Sequence, residues 1–293
     1  MKYVFLVNSY SLKEQTDEVI DRINEVATKR ELDYVIETNS IDNQTENIIY
    51  KYKDDENIII CIGGDGTINR TLNSIVGTNN ILGYIPFGTG NDFYRTNKEL
   101  LSDGINDIDL IKINNRYFIN VACFGIDADI ANTEEVVHSK IIPKSQRYNA
   151  SIAKNFFAYI PRYMSVEIDN QMHEGRFTTV AVCNARYYGG GYKIGPNALL
   201  DDGLLDVYIV DDMSKLKMAK LLLGMKKGKH EKDSLVKVIK TRKVYINTYK
   251  DVKCNIDGDI LTDRIFDIEV IPKGIKIYYD QELIDDITTV RKR

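Results

Sequence analysis

Apolar and polar positions alternate in two regimes along the chain. In the first third, short apolar runs are separated by stretches of helical period. Residues 2–7 form one such run, and residues 57–62 form another that is almost wholly β-branched, as a strand buried on both faces of a parallel sheet should be. Between them, Val19, Ile20, Ile23, Val26 and Ala27 recur at helical spacing within residues 12–29. Residues 33–38 predict a second strand and residues 45–52 a short helix. Ile68, Leu72, Ile75 and Val76 mark a further helix, and residues 81–85 another strand. Strands alternating with helices predict a parallel sheet covered on both sides.

The pattern changes near Asp107. Candidate strands then follow one another at 108–113, 117–123, 165–168, 178–184, 204–210, 235–239, 244–248, 265–271 and 275–279, many with alternating polarity. That succession predicts an antiparallel β-sandwich. Helical stretches at 145–159 and 214–227 interrupt it. The polar segment 280–293 is expected either to pack back on the first domain or to fray. The expected fold is therefore an α/β domain over residues 1–112, with or without 280–293, followed by an all-β sandwich over 113–279.

Composition narrows the function classes. The 293 residues carry a formal charge of -4, which argues against a dedicated nucleic-acid binder, whose domain is strongly basic. No uninterrupted apolar run reaches the length of a transmembrane helix, and residues 1–8 lack a cleavage-site pattern, so a cytoplasmic protein is expected. Cys61, Cys123, Cys183 and Cys254 lie far apart, each in an apolar run, with no CxxC pair; they are expected to be buried free thiols rather than zinc ligands or disulfides.

Two glycine-rich turns carry the candidate chemistry. Gly63-Gly64-Asp65-Gly66-Thr67 stands between a buried strand and a helix. Glycines let backbone approach a ligand closely, and the following helix N-terminus offers N–H groups and positive dipole to phosphate. Asp65 suits this setting if it holds a Mg²⁺ bridging the phosphates or polarises a hydroxyl; the plain alternative is a tight turn with Asp as helix cap. Gly88-Thr89-Gly90-Asn91-Asp92-Phe93 follows the next strand. Neighbouring parallel strands end on one sheet edge, where ligands bind, so both turns should face one crevice.

Together these turns resemble the catalytic domain of diacylglycerol kinases and their sphingosine and ceramide kinase relatives, and the resemblance covers nearly the whole chain. Asn8 and Ser11 match the family's opening Asn-Pro-x-Ser-Gly segment, although Ser9 and Leu12 replace its Pro and Gly. Asn120 with Gly125-Ile126-Asp127-Ala128 resembles a third block. Gly189-Gly190-Gly191 and Asp202-Gly203-Leu204-Leu205-Asp206-Val207 resemble a fourth. Asp257-Gly258-Asp259 matches the last, Asp-Gly-Glu, except at its final residue.

The resemblance implies an N-terminal α/β domain of the phosphofructokinase and NAD-kinase type followed by the β-sandwich. It also implies ATP and Mg²⁺. Nucleotide contacts would come from Asn8, Ser11, Thr38, Gly63, Gly64, Asp65, Gly66, Thr67, Ile68, Asn69, Arg70, Thr89 and Asn91. Asp259 would stand for the family's Glu as general base, about 1 Å nearer its backbone, with Asp65 as the other catalytic carboxylate; displacement of that size can cost roughly 10²-fold. Asp257 equally reads as a hairpin residue, since Asp-Gly is a strong turn signal. A structural Mg²⁺ would be held by the Asp202 side chain and the carbonyls of Leu199 and Leu204, the alternative being that Asp202-Gly203 is only a turn. A homodimer is what the family suggests.

A lipid kinase must reach a bilayer, so a lipid substrate at the inner membrane face and transient peripheral contact are expected. Lys140, Lys144, Arg147, Lys154 and Arg162 lie among apolar residues without an acid. Lys215, Lys217, Lys220, Lys226, Lys227 and Lys229 do so again, beside Leu216, Leu221, Leu222 and Leu223. Either set suits an anionic surface or a helix packed on the sandwich with solvated lysines. His230, after Gly228-Lys229, is expected to be structural.

Two readings compete with a diacylglycerol kinase. A sphingoid-base kinase shares most motifs, and a non-catalytic nucleotide- or lipid-binding regulator would explain Asp259. An NAD kinase is disfavoured, because its second motif carries an Asn-Glu pair.

Overall fold

The computed structural model describes residues 1–39, 44–88, 90–125 and 159–289. Expectations for Thr89, for Ile126 to Ala128, for the basic residues Lys140 to Lys154 and for the helix at 145–159, Tyr159 aside, lie outside them. The chain divides into two compact units, Met1–Ile108 with Lys273–Arg293, and Asp109–Pro272.

The first unit holds β1 (Lys2–Asn8), α1 (Ser9–Leu12), α2 (Thr16–Lys29), β2 (Tyr34–Asn39), α3 (Thr45–Tyr50), β3 (Asn57–Gly63), α4 (Asp65–Ile75), β4 (Ile81–Pro86) and α5 (Asp92–Leu100). The strands pair in parallel in the order β4-β3-β1-β2. Every residue of β3 is buried, which explains its unbroken apolar sequence. Helix α2 turns Val19, Ile23, Val26 and Ala27 inward onto Phe5, Ile58 and Ile60. In this order β1 lies between β2 and β3, so successive connections leave it in opposite directions. That is a topological switch, and crevices for ligands open at the carboxyl ends of the strands there. Register places those ends together: Val7 pairs with both Thr38 and Ile62, and Gly63 with Pro86.

The second unit is antiparallel, as its alternating sequence predicts. It comprises β5 (Gly104–Ile113), β6 (Arg116–Phe118), β7 (Val121–Gly125), β8 (Arg162–Ile168), β9 (Gln171–Cys183), β10 (Leu205–Asp211), β11 (Val236–Thr241), β12 (Lys243–Ile256) and β13 (Asp259–Tyr279). Strands β9 and β12 each pair with β7 along one half and with β8 along the other. Inward side chains of these strands and their neighbours, among them Phe124, Met164, Val182, Ile246 and Phe266, fill the core. Helix α6 (Lys215–Met225) packs Met225, with Leu221 and Leu222, against a second cluster including Val121, Ala181 and Tyr208.

The sequence divides residues 265–279 into two strands, whereas β13 runs through without interruption. Its last residues belong to the first unit, where Ile277 and Tyr278 pair in parallel with Leu82 and Gly83 of β4. Helix α7 (Gln281–Thr288) then buries Leu283, Ile284 and Ile287 in that unit's core. Of the two alternatives for the polar C-terminal segment, its described part packs. All four cysteines are buried and free, as expected; burial pushes the Cys61 thiol up to about 12.

Candidate active site

The two glycine-rich turns lie against each other at the carboxyl edge of the parallel sheet. Phe87 N–H donates to Gly63 O at 2.7 Å, continuing the β3–β4 ladder into the turns. Gly64 and Gly88 then meet backbone to backbone. A Cβ on Gly88 would come within 2.8 Å of Gly64 Cα, and one on Gly90 within 2.7 Å of Asp65 Oδ2. Those two glycines serve this close approach.

Gly64 and Gly66 differ. A Cβ on Gly64 would meet nothing nearer than 3.6 Å, and one on Gly66 nothing nearer than 4.0 Å. Neither has positive φ. Gly66 lies in the first turn of α4, where alanine would favour the helix. The fold therefore gives little reason for glycine there. What a Cβ would fill is space in an open cleft of about 670 Å³, lined by Ser11, Gln15, Gly64, Asp65, Gly66 and Phe87. First-turn N–H groups of α4 and its dipole make this an anion cradle.

Asp65 does something the sequence reading did not foresee. Its Oδ1 accepts the N–H of Asp92 at 3.0 Å and that of Phe93 at 3.5 Å. It therefore caps α5, the helix after the second turn. One carboxylate thus joins both turns at the cleft. Asn91 clamps the second turn: its Nδ2 donates to Gly88 O at 2.9 Å and its Oδ1 accepts Gly88 N–H at 3.0 Å. Its φ of 52° is tolerated by asparagine. Tyr84 completes the frame, its hydroxyl donating toward Gly63 O at 3.1 Å and Asn91 Oδ1 at 3.2 Å. Burial pushes the Tyr84 phenol up, which keeps it a donor.

Asn8 sits at the end of β1, 3 % exposed. Its Nδ2 donates to Thr67 Oγ1 at 2.7 Å, and its Oδ1 accepts Ser11 N–H at 3.3 Å. The hydroxyl it holds packs on Gly63, where a Cβ would stand 2.4 Å away. Ser9, at the position of the family's Pro, is used as well: its N–H and hydroxyl both bond Asn39, at 3.2 and 2.6 Å. Thr38 lies half-buried at the same edge. Arg70 is exposed, with Nε donating to Gly66 O at 3.2 Å, and Arg95 does likewise to Gly90 O at 3.3 Å. Two guanidiniums thus stand at the turns. Of the expected nucleotide contacts, Ile68 has its side chain 1 % exposed and its N–H bonded to Gly64 O, which packs it under the turn. Asn69 is buried too, at 4 %.

Tyr84 and Arg95 are the positioning residues that the motifs do not contain. The signal available was a single phenol in the otherwise aliphatic run Ile81-Leu82-Gly83-Tyr84-Ile85.

In the second unit, Asp257 and Gly258 form the two-residue loop between β12 and β13, with φ of 49° and 88°. Positive φ at both positions is the hairpin geometry that Asp-Gly favours. The Asp257 carboxylate, buried, accepts N–H groups of Ile119, Asn120 and Val121 at 2.9, 3.2 and 2.8 Å. It is a structural pin, and it splits the strand expected at 117–123 into β6 and β7. Asn120 also donates from Nδ2 to Tyr187 O at 3.0 Å. Asp259, the first residue of β13, is half-exposed and pairs with Arg116 Nη1 at 3.2 Å.

Of the residues expected to hold a structural Mg²⁺, Asp202 stands beside an ammonium. Asp202 Oδ2 pairs with Lys240 Nζ at 3.0 Å, while Oδ1 accepts Leu204 N–H at 3.1 Å. Lys240 also reaches buried Asp206 at 3.3 Å. Gly203, at φ 69°, donates its N–H to Asp109 Oδ2 at 2.7 Å. Both Asp202 oxygens, which a divalent ion would need, are engaged by the half-exposed Lys240 ammonium and by the Leu204 N–H. Among the described residues no group of three or more His, Cys, Asp or Glu side chains could hold one.

Known proteins bear on this geometry. Residues 2–116 match the family model of the diacylglycerol kinase catalytic domain, and residues 120–279 that of the YegS C-terminal NAD kinase beta sandwich-like domain. A diacylglycerol kinase of Staphylococcus haemolyticus is 29 % identical over 71 % of this chain and 66 % of its own length. A protein of Shewanella frigidimarina named "Probable lipid kinase YegS-like" is 28 % identical over 74 % and 75 %. A crystal structure titled as a diacylglycerol kinase from Bacillus anthracis superposes with a TM-score of 0.75 at 21 % identity, over 96 % of this chain and 98 % of that one; the likeness shows a common fold.

Proposed function

Since the chain belongs to the diacylglycerol kinase family and is by that membership a kinase, we propose that it transfers the γ-phosphate of ATP to a hydroxyl of a membrane lipid, diacylglycerol above all, giving phosphatidic acid. The observation that carries this reading is the cradle at Gly64 and Gly66, where backbone leaves room for a ligand that the fold itself does not require.

In this reading the phosphates lie over the N-terminus of α4, with Arg70 and Arg95 as nearby cations. Phosphoryl transfer depends chiefly on positioning and charge neutralisation, which rigid turns supply. A Mg²⁺ bound with the nucleotide would neutralise phosphate oxygens, and Asp65 is the carboxylate of the cleft that would face it. The acceptor oxygen attacks the γ-phosphorus, the bond to the β–γ bridging oxygen breaks, and ADP leaves. The acceptor's proton passes to a carboxylate, the role proposed for Asp259, with Arg116 fixing that side chain's orientation.

The regulator reading has one specific observation in its favour: Asp259 is a methylene shorter than the family's Glu and is tied to Arg116. One experiment addresses both. Radiolabelled ATP and Mg²⁺ are supplied with mixed micelles of diacylglycerol, sphingosine or ceramide. Labelled phosphatidic acid is expected; label on a sphingoid lipid instead would move the substrate assignment. ATP binding with no labelled lipid, unrescued by Asp259→Glu, would sink the kinase reading.

A further inference from the structure

Helix α6 is apolar on two faces, and the fold covers one. Met218 and Met225 are buried, and Leu221 and Leu222 pack against the core beneath. Leu216 and Leu223 point the other way, 84 % and 70 % exposed, the highest values among the exposed large hydrophobics of the described residues. Seven residues apart, they lie on one line about 10 Å long. Lys220 stands between them and Lys227 beyond, both exposed. From Ser214 to His230 there is no acidic residue, in a chain whose net charge is -4. Lys215 donates to Tyr159 O at 2.5 Å, which brings the next residue, Ile160, to the N-terminal end of the helix; it is 69 % exposed.

A single exposed leucine means little. Two leucines in line, flanked by the exposed Lys220 and Lys227 while Lys217 pairs with Asp233 at 3.1 Å, form an amphipathic surface of the kind that lies in a bilayer interface. Aliphatic tips enter the acyl boundary and ammonium groups meet anionic headgroups. The interior of another protein would not favour so many lysines around the apolar line. We infer that the Leu216–Leu223 face of α6 is the docking surface for an anionic phospholipid bilayer. This rests on the lipid-kinase reading for its purpose, although the binding it describes can be measured without catalysis.

The test is sedimentation of the full chain with vesicles of phosphatidylcholine alone or with phosphatidylglycerol added. The wild type should partition onto the anionic vesicles, less so as salt is raised. Leu216→Gln with Leu223→Gln should weaken partitioning at least about tenfold. Lys220→Glu with Lys227→Glu should weaken it by roughly fivefold for each charge removed and more for reversal. All four side chains are exposed, so the thermal midpoint should not move. ATP binding and turnover of a dispersed short-chain diacylglycerol should persist in both variants. Vesicle binding that maps to α6 in a protein that phosphorylates no lipid would uphold the surface and remove the kinase reading. Lipid phosphorylation with variants that bind vesicles like the wild type would overturn the surface and leave the kinase reading. A wild-type dimer that the leucine variant converts to monomer would also overturn it, by assigning the face to a second copy.

Discussion

At the scale of single residues, the cleft separates side chains that build the turns from backbone that the turns leave open. Asp65 belongs to both groups, and two substitutions can divide its roles. Asp65→Asn keeps an oxygen to cap α5, so stability should change little. Asp65→Ala loses the cap, which typically costs about 1 kcal/mol. Both should lower phosphoryl transfer by about 10²–10³-fold, the scale of removing one electrostatic contact to a transition state. Full activity in Asp65→Asn would sink the assignment of this carboxylate to the chemistry. The glycines give a second contrast. Gly88→Ala would drive a Cβ to 2.8 Å from Gly64 Cα and should destabilise the protein by about 1–3 kcal/mol, as overpacking does. Gly66→Ala should leave the melting temperature level or raised, yet weaken nucleotide binding seen by calorimetry. Unchanged affinity in Gly66→Ala would mean the cradle is not where phosphate sits.

At the scale of elements, periodicity makes most strands and helices legible, and what it misses has local physical causes. Helix α5 is missed because its buried residues include Asp92, Thr96 and Asn97, so its inner face does not look apolar. The break after Phe118 comes from the Asp257 carboxylate, distant in sequence, drawing three N–H groups out of the strand ladder. Long β13 is read as two because Pro272-Lys273-Gly274 looks like a turn. Motif spacing locates the glycine turns but cannot tell that Asp65 reaches across to α5, because nothing in a motif gives side-chain direction. The segment after α6 offers a test at this scale. His230 is 3 % exposed, its Nε2–H donating to Ile194 O at 3.0 Å, and burial lowers its pKa despite the opposing effects of that bond and of Glu231. A neutral buried imidazole stabilises the fold above its unfolded pKa of about 6.5. That contribution is lost as pH falls through the lower folded value. His230→Gln keeps a donor for Ile194 but takes up no proton, so it should lose less melting temperature than the wild type between about pH 7 and pH 5. Parallel acid profiles would show that His230 does not carry this loss.

At the scale of the whole molecule, the chain's return from the sandwich to the α/β unit matters most. Sequence gives the two architectures and their order, because the two hydrophobic periods differ. It leaves the C-terminal segment undecided, because residues 280–293 look polar by composition while three aliphatics at helical spacing, Leu283, Ile284 and Ile287, are 1 %, 4 % and 2 % exposed. Asp280 caps this helix by accepting Leu283 N–H at 2.7 Å. Arg30 on the C-terminal flank of α2 pairs with Asp280, Glu282 and Asp286 at 3.0, 3.1 and 3.4 Å. Apolar burial and ion pairing therefore both hold α7 in place, and their magnitudes differ. Three buried aliphatics contribute on the order of 1.5–3 kcal/mol each, a sum comparable with the roughly 5–15 kcal/mol that stabilises a whole domain. Ion pairs as exposed as Glu282's contribute about 0–1 kcal/mol. Ending the chain after Tyr279 should consequently unfold the first unit or abolish its cooperative melt, whereas Arg30→Ala should lower the melting temperature by only a few degrees. Hydrogen exchange reads the difference directly: in the truncated chain the amides of β1, β3 and β4 should lose protection while those of β9, β10 and β12 keep theirs. A truncated protein that protects β3 as the full chain does would show that α7 covers a core able to stand without it.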